Sequence, residues 1–396
     1  MVVKTSIRLV AVAIILFNCS QNEHTKTITV KNTLDMERTF ETVELSKDFL
    51  KIDDLSSISI QDSDTKKLLV TQTIDYDGDG VLDVILFQPQ VEANSEKVYE
   101  IVKIQESERP KADTLCYSRF VPERTDDYTW ENNRVAFRTY GPTAQKMIED
   151  NIPGGTLSSG IDLWLKKVDY SIIDKWYAGN VKKSGYYHID HGEGYDPYHV
   201  GKSRGTGGIG VWKGDTLLTS KNFTAYRTIA IGPLRTVFEL DYEPWSEYGI
   251  KETKRISLDL GSNFSKFEIS LVAENPVPNY TIGITLHDGK GDIILNDKDG
   301  YYGHWEAIDN SFVGEGIILD PQQVQQAFDF RTSTPDQSQL LIITEPNQTK
   351  LTYYAGFAWT KGGDVTTKEN WIQMLDKESK KINNPLQVRS LNGTNS

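Results

Sequence analysis

Phe223-Thr224-Ala225-Tyr226-Arg227-Thr228-Ile229-Ala230-Ile231 is followed, past Pro233, by Thr236-Val237-Phe238-Glu239-Leu240-Asp241-Tyr242. Both runs are short and rich in β-branched and aromatic residues. In the second, Phe238, Leu240 and Tyr242 alternate with charged neighbours, the period at which one face of a strand turns inward. Similar runs recur at Thr27–Val30, Leu68–Thr71, Val81–Phe87, Val98–Val102, Val135–Tyr140, Ile256–Leu260, Phe267–Val272, Thr281–Leu286, Leu340–Thr344 and Leu351–Trp359. Asp77-Gly78, Asp79-Gly80, Gly214-Asp215, Asp288-Gly289 and Gly362-Gly363 punctuate them as turns. The pattern predicts an all-β protein of many antiparallel strands. Helical signal is confined to Leu163–Trp176 and to Thr366-Thr367-Lys368-Glu369, a capping-box pattern ahead of Trp371, Met374 and Leu375.

Lys4 and Arg8 precede an apolar run from Leu9 to Phe17 that ends at Asn18-Cys19-Ser20. This is the order of a secretory signal, and the run is too short to span a bilayer. Residues 1–19 read as a lipoprotein signal with Cys19 as the lipidated residue. Residues 20–26 form a polar tether, and the expected location is the periplasm, anchored to a membrane. With Cys19 set aside, Cys116 stands alone, so no internal disulfide is available. The charged stretch 105–111 is the linker candidate. It separates a small N-terminal β-domain over 27–104 from a large domain over 112–390.

Nineteen Tyr, fourteen Phe and eight Trp beside a mean hydropathy of −0.45 suggest polar surfaces set with aromatic platforms. A net charge of −13 argues against nucleic acid as partner, because the long-range field repels polyanions. An acidic substrate would need a locally basic pocket.

Two segments carry chemistry. In Asp75-Tyr76-Asp77-Gly78-Asp79-Gly80-Val81-Leu82-Asp83, the carboxylates of Asp75, Asp77, Asp79 and Asp83 fall at calcium-loop spacing around a Gly. Leu86 stands where the bidentate Glu belongs. A structural calcium is one reading and an unmetallated hairpin turn the other. The second segment runs from Tyr186 to Gly208 and holds three of the six His, with several Tyr, carboxylates, Lys202 and Arg204. Its polarity and glycines predict a loop, not a sheet core. Three readings compete: a metal site from His188, His191 and Glu193, a proton-transfer site, and a surface loop with satisfied histidines. Arg227 and Arg235 lie in strands, either inward as carboxylate clamps or outward in salt bridges. His287 and His304 flank turns, and Trp305 offers a face on which a sugar can stack.

Arg134–Pro142, Gly160–Trp164, Tyr187-His188-Ile189-Asp190-His191-Gly192-Glu193-Gly194-Tyr195-Asp196 and Ala355–Trp359 together resemble a family catalogued only as a domain of unknown function, number 4861. The resemblance covers roughly residues 25–385. It implies a galactose-mutarotase-like β-supersandwich behind a small N-terminal β-sandwich. One branch of the family acts as a dehydratase on oligosaccharides of the algal polysaccharide ulvan. The resemblance therefore implies a hydro-lyase that removes the C4 hydroxyl and C5 proton of a non-reducing-end glucuronic or iduronic acid linked to sulfated rhamnose. Such an elimination needs a base, an acid and a group that masks the uronate carboxylate. The residues at hand nominate His188 or His191 as base and Tyr187 or the other His as acid. Arg204, Lys202 or Arg227 would clamp the carboxylate, and Glu193 and Asp196 would orient the histidines or hold a cation. Tyr198 and Trp305 are further substrate contacts. No cofactor is required by this chemistry. The alternatives are a polysaccharide lyase or mutarotase-like enzyme and a non-catalytic glycan-binding lipoprotein.

Overall fold

The structure, a computed structural model, describes residues 26–334 and 337–391. The expected signal, Cys19 and residues 20–25 of the tether lie outside the described residues.

The alternation read at 223–242 becomes the antiparallel pair Ala225–Ala230 and Arg235–Trp245. Phe238, Leu240 and Tyr242 are buried while Asp241 is exposed. This pair opens an eight-stranded sheet that continues through Ile250–Asp259, Phe264–Val272, Lys350–Trp359, Ser311–Ile318, Tyr301–Ile308 and Asp292–Asn296. Two five-stranded sheets share a core with it. One runs Gly194–Tyr195, Asp162–Lys166, Ala136–Thr139, Asp127–Glu131, Tyr117–Val121; the other runs Thr216–Leu218, Thr206–Lys213, Thr281–Thr285, Gln339–Thr344, Val324–Phe330. Trp130, Phe137, Leu163, Ile209, Ile282 and Ile342 from the five-stranded sheets meet Phe238, Ile256, Phe267, Tyr353 and Phe357 of the eight-stranded one. The architecture is the all-β supersandwich with few helices that the sequence implied.

The N-terminal unit is a second, smaller sandwich. Its sheets are Lys26–Lys31, Glu96–Lys103 and Ile58–Asp62, and Val43–Ser46, Val84–Phe87 and Thr71–Ile74. Ile28, Val30, Leu45, Ile60, Phe87 and Ile101 fill its core. The four-stranded sheet is completed by Gln387–Ser390, which pairs with Lys26–Lys31. The expected boundary at residue 390 is corrected here, because the end of the described chain returns to the N-terminal unit. The two units are also joined by Gln72, whose Oε1 accepts from the amides of Leu234 and Arg235 at 2.9 Å each.

Two further expectations need correction. Leu163–Trp176 is not helical at its start: Asp162–Lys166 is a buried central strand, and the helix covers Ile173–Lys182. The Gly-rich end of the 186–208 segment is not a loop, since Thr206–Lys213 is a strand with Ile209 and Val211 in the main core. Its glycines are required by proximity: a Cβ on Gly207 would sit 2.6 Å from Ala355 Cβ. The capping pattern near 366 does start a helix, Lys368–Asn383, with Thr367 as the cap that accepts from the Asn370 amide. That helix lays Trp371 and Leu375 on the outer face of the eight-stranded sheet, against Gly314 and Gly316.

Candidate active site

The His-rich segment is anchored from beneath by a buried charge cluster. Arg138, on a central strand, meets Asp162 at 2.5 Å, Asp196 at 2.7 Å and Asp127 at 3.8 Å. It lies among the rings of Tyr140, Trp164 and Tyr187. Burial pushes the Asp127 carboxyl up to about 6 against the pull of Arg138. Burial, and then the charge of Asp162, push Asp196 well above the usual carboxylate range. One guanidinium among three carboxyl groups favours a protonated acid in this cluster.

Above it the segment divides. Tyr187 is a core residue, stacked on Trp164 at 5.1 Å, with its hydroxyl accepting from Arg124 Nε at 3.1 Å. Glu193 is buried and accepts from Lys175 and Trp176 of the helix Ile173–Lys182 and from Tyr170 ahead of it. Burial opposes its charge, but these three donors hold its carboxyl below the ordinary value. His191 is exposed and stacks on Tyr186. These placements correct the expectation that Tyr187, His191 and Glu193 act together at a reacting centre: the first and last brace the segment and His191 faces solvent. His188 differs. Its Nδ1 lies 2.8 Å from the Asp196 carbonyl and 3.5 Å from the Asp196 carboxylate, while half of its side chain remains exposed.

Asp196 also leads to a second group. Its Oδ1 accepts from the Tyr198 amide at 3.3 Å, and the Tyr198 hydroxyl donates to Glu306 at 2.8 Å. The Tyr198 ring stacks on His287 with centroids 4.3 Å apart. His287 Nδ1 pairs with Glu306 at 2.8 Å and His304 Nδ1 with Glu315 at 3.0 Å. Thr206 Oγ1 donates to Glu315 at 2.5 Å. One ligand atom from each of His287, His304, Glu306 and Glu315 lies within 4.8 Å of the others. A narrow crevice lined by Asp162, Tyr198, Thr206, Thr285, His287 and Glu315 opens beside them.

Strand geometry explains the convergence. His304 and Glu306 are two apart on Tyr301–Ile308 and so share a face, and His304 is in register with Glu315 on the neighbouring strand. His287 follows Thr281–Thr285 in the left-handed backbone region at φ 31°, a costly conformation for a residue with a Cβ. The burial of Tyr198, and then the carboxylate of Glu306, push its phenol well above the usual range. For Glu306 burial raises the carboxyl, but the hydrogen bond and charge of His287 bring it below the usual value. Sequence reading noted His287 and His304 singly and missed Glu306 and Glu315. The signal available was His304-x-Glu306, two polar residues on one face of a run with strand period.

The other nominated residues lie elsewhere. Arg204 is buried and donates to Ser159 Oγ and the Ile209 carbonyl. Burial lowers its guanidinium to about 10. With Lys202 it lines a separate hollow beside Trp212 and Phe330. Arg227 pairs with Glu239 and donates to the Tyr76 carbonyl, and Arg235 pairs with Asp259 and Glu44. Both tie the large unit to the N-terminal one, which takes Arg227 out of the clamp. Trp305 is buried with Trp371 and Ile318 and stacked on Phe312, so it is no platform for a sugar. In the Asp-rich turn, Asp75 accepts from Gly78 and Gly80, Asp77 from Asp79, Asp79 from Val81 and Asp83 from Tyr76. Asp75, Asp77 and Asp83 lie close enough to share an ion; Asp79 is outside that group.

Fold and site define a β-supersandwich protein with a buried His/Glu crevice between its sheets. The chain belongs to the family described as a domain of unknown function, DUF4861, whose model matches residues 30–388. It is similar to "Uncharacterized protein P7" of Formosa agariphila, 49% identical over 387 residues that cover 96% of this chain and 97% of that protein. Among solved structures it is similar to a protein in the glycosyl hydrolase family 38 from Enterococcus faecalis, with TM-score 0.52 and 10% identity over 93% of this chain and 47% of that one. An alpha-mannosidase from Enterococcus faecalis V583 gives TM-score 0.47 and 9% identity over 93% of this chain and 46% of that one. The chain therefore spans about half the length of these structures, and the first likeness shows a common fold and no more.

Proposed function

We propose that the protein is a carbohydrate dehydratase that eliminates water from a non-reducing-end glucuronic or iduronic acid, such as those of ulvan oligosaccharides. The observation that carries this reading is the shared use of Asp196. The Asp196 carbonyl meets His188 Nδ1 and its carboxylate accepts from the backbone amide of Tyr198, whose hydroxyl is placed by Glu306. The half-exposed His188 ring and the main chain of Tyr198, whose side chain lines the crevice, thus meet at one buried residue.

In the proposed reaction His188 takes the C5 proton. The released electron pair forms the C4=C5 double bond as the C4–O bond breaks. Tyr198 gives its proton to the departing hydroxide, so that water leaves, and the proton held on His188 restores the phenol through solvent. Asp196 fixes the His188 ring, and the Glu306–His287 pair positions the Tyr198 hydroxyl. The family resemblance supports the same reaction class.

The test is incubation with an oligosaccharide that ends in a saturated uronate, followed by mass spectrometry and ultraviolet absorbance. The expected product lacks one water and absorbs as a 4,5-unsaturated uronate. His188→Ala and Tyr198→Phe are expected to fold and to lose turnover by roughly 10²-fold or more. Unchanged substrate, or chain cleavage with new reducing ends, overturns the proposal; cleavage would indicate a lyase.

A further inference from the structure

We propose that His287, His304, Glu306 and Glu315 bind one divalent transition-metal ion of the zinc or manganese class. Imidazole nitrogen together with carboxylate oxygen is the donor set such ions take. In a coordination sphere with bonds near 2.1 Å, adjacent donors lie about 3 Å apart. The two His–Glu pairs are separated by 2.8 and 3.0 Å, and one ligand atom from each of the four side chains lies within 4.8 Å of the rest.

Three surrounding features favour an ion over two independent ion pairs. First, the carboxylates are oriented by groups behind them, Tyr198 on Glu306 and Thr206 on Glu315, as the ligands of metal sites usually are. Second, the His304 ring is wedged in place: a Cβ on Gly291 would stand 2.0 Å from its Nε2. That contact fixes the ring with Nδ1 toward Glu315. Third, His304, Glu306 and Glu315 are at most 6% exposed, and apolar residues would fill this interior at lower cost than paired ions.

The ion's role rests on the proposed dehydration; its binding does not. The crevice lining contains no lysine or arginine among the described residues. Of the cations expected to mask the uronate carboxylate, Arg204 and Arg227 are committed elsewhere and Lys202 lines the separate hollow beside Trp212. A dication with four protein ligands keeps positions of a six-coordinate sphere for that carboxylate, and its charge would make the C5 proton more acidic.

The experiment is metal analysis of the full purified chain, followed by chelation and calorimetric titration with ZnCl2 or MnCl2. The expected result is one ion per chain, lost in Glu315→Gln and His304→Gln and kept in Asp75→Asn/Asp77→Asn. Titration of the chelated wild type with Co2+ serves as the second readout should a variant fail to fold. A visible band of nitrogen- and oxygen-ligated cobalt, saturating at one equivalent, is expected. Absence of that band, or uptake unchanged in a folded Glu315→Gln, overturns the site. Uptake without dehydration would leave the site standing and remove the proposed reaction.

Discussion

The Asp-rich turn at 75–83 and the cluster of His287, His304, Glu306 and Glu315 both gather groups close enough to share a cation, yet they are built in opposite ways. In the turn, each carboxylate accepts from a backbone amide a few residues away, and the group is exposed for most of its length. Such contacts are what Asp offers any tight turn. In the second group, four side chains able to share an ion come from two adjacent strands and the end of a third, with imidazoles facing carboxylates; His304, Glu306 and Glu315 are buried and His287 is half-buried. A local motif can be complete in sequence and be used up by its own backbone. A constellation assembled by strand register is invisible until the sheet is formed.

Three measurements sharpen the contrast, from largest effect to smallest. Glu306→Gln should lower turnover by roughly 10³-fold, since it disturbs both Tyr198 and the proposed ion; the turn variant Asp75→Asn should turn over like wild type. Steady-state kinetics of the two variants checks this, and equal losses would erase the distinction.

The second concerns pH. Asp127 titrates near 6 in the fold, above its ordinary value of 3.8. The folded protein therefore holds a proton that the unfolded chain releases. The carboxyl's burden is absent below about pH 4 and grows as pH rises through 6, to roughly 3 kcal/mol of lost stability. Asp127→Asn should flatten that part of the stability profile in urea unfolding at pH 4 and 7. Asp75 carries the opposite sign: backbone hydrogen bonds from Gly78 and Gly80 lower its carboxyl, so its contribution is present at neutral pH and fades as pH falls below 4. The third and smallest effect follows, a slight drop in melting temperature for Asp75→Asn at pH 7 that vanishes in acid.

Strands with one wet face were legible. Phe238-Glu239-Leu240-Asp241-Tyr242 alternates because its charged positions reach solvent or an exposed ion pair. Tyr301–Ile308 and Ser311–Ile318 were not, although both are long. Their outer face is covered by the helix Lys368–Asn383, which demands glycine at 314 and 316, and their inner face carries His304, Glu306 and Glu315. Glycines and charges in alternation imitate a loop. The same burial hid the strand Thr206–Lys213. In the candidate site, the sequence pointed to the 186–208 segment through its histidines, and there Asp196 meets both His188 and the Tyr198 amide. Tyr187 and Glu193 looked alike in sequence but face the aromatic cluster and the helix beneath; only the fold distinguishes the two sides of a loop.

The most direct test is a crystal structure of the slowed Tyr198→Phe variant with a saturated uronate oligosaccharide bound. The terminal uronate is expected at the mouth of the crevice, its carboxylate toward the ion proposed between His287 and Glu306 and its C5 hydrogen toward His188. A sugar seated instead in the hollow of Trp212, Phe330 and Arg204, with the crevice untouched, would contradict it.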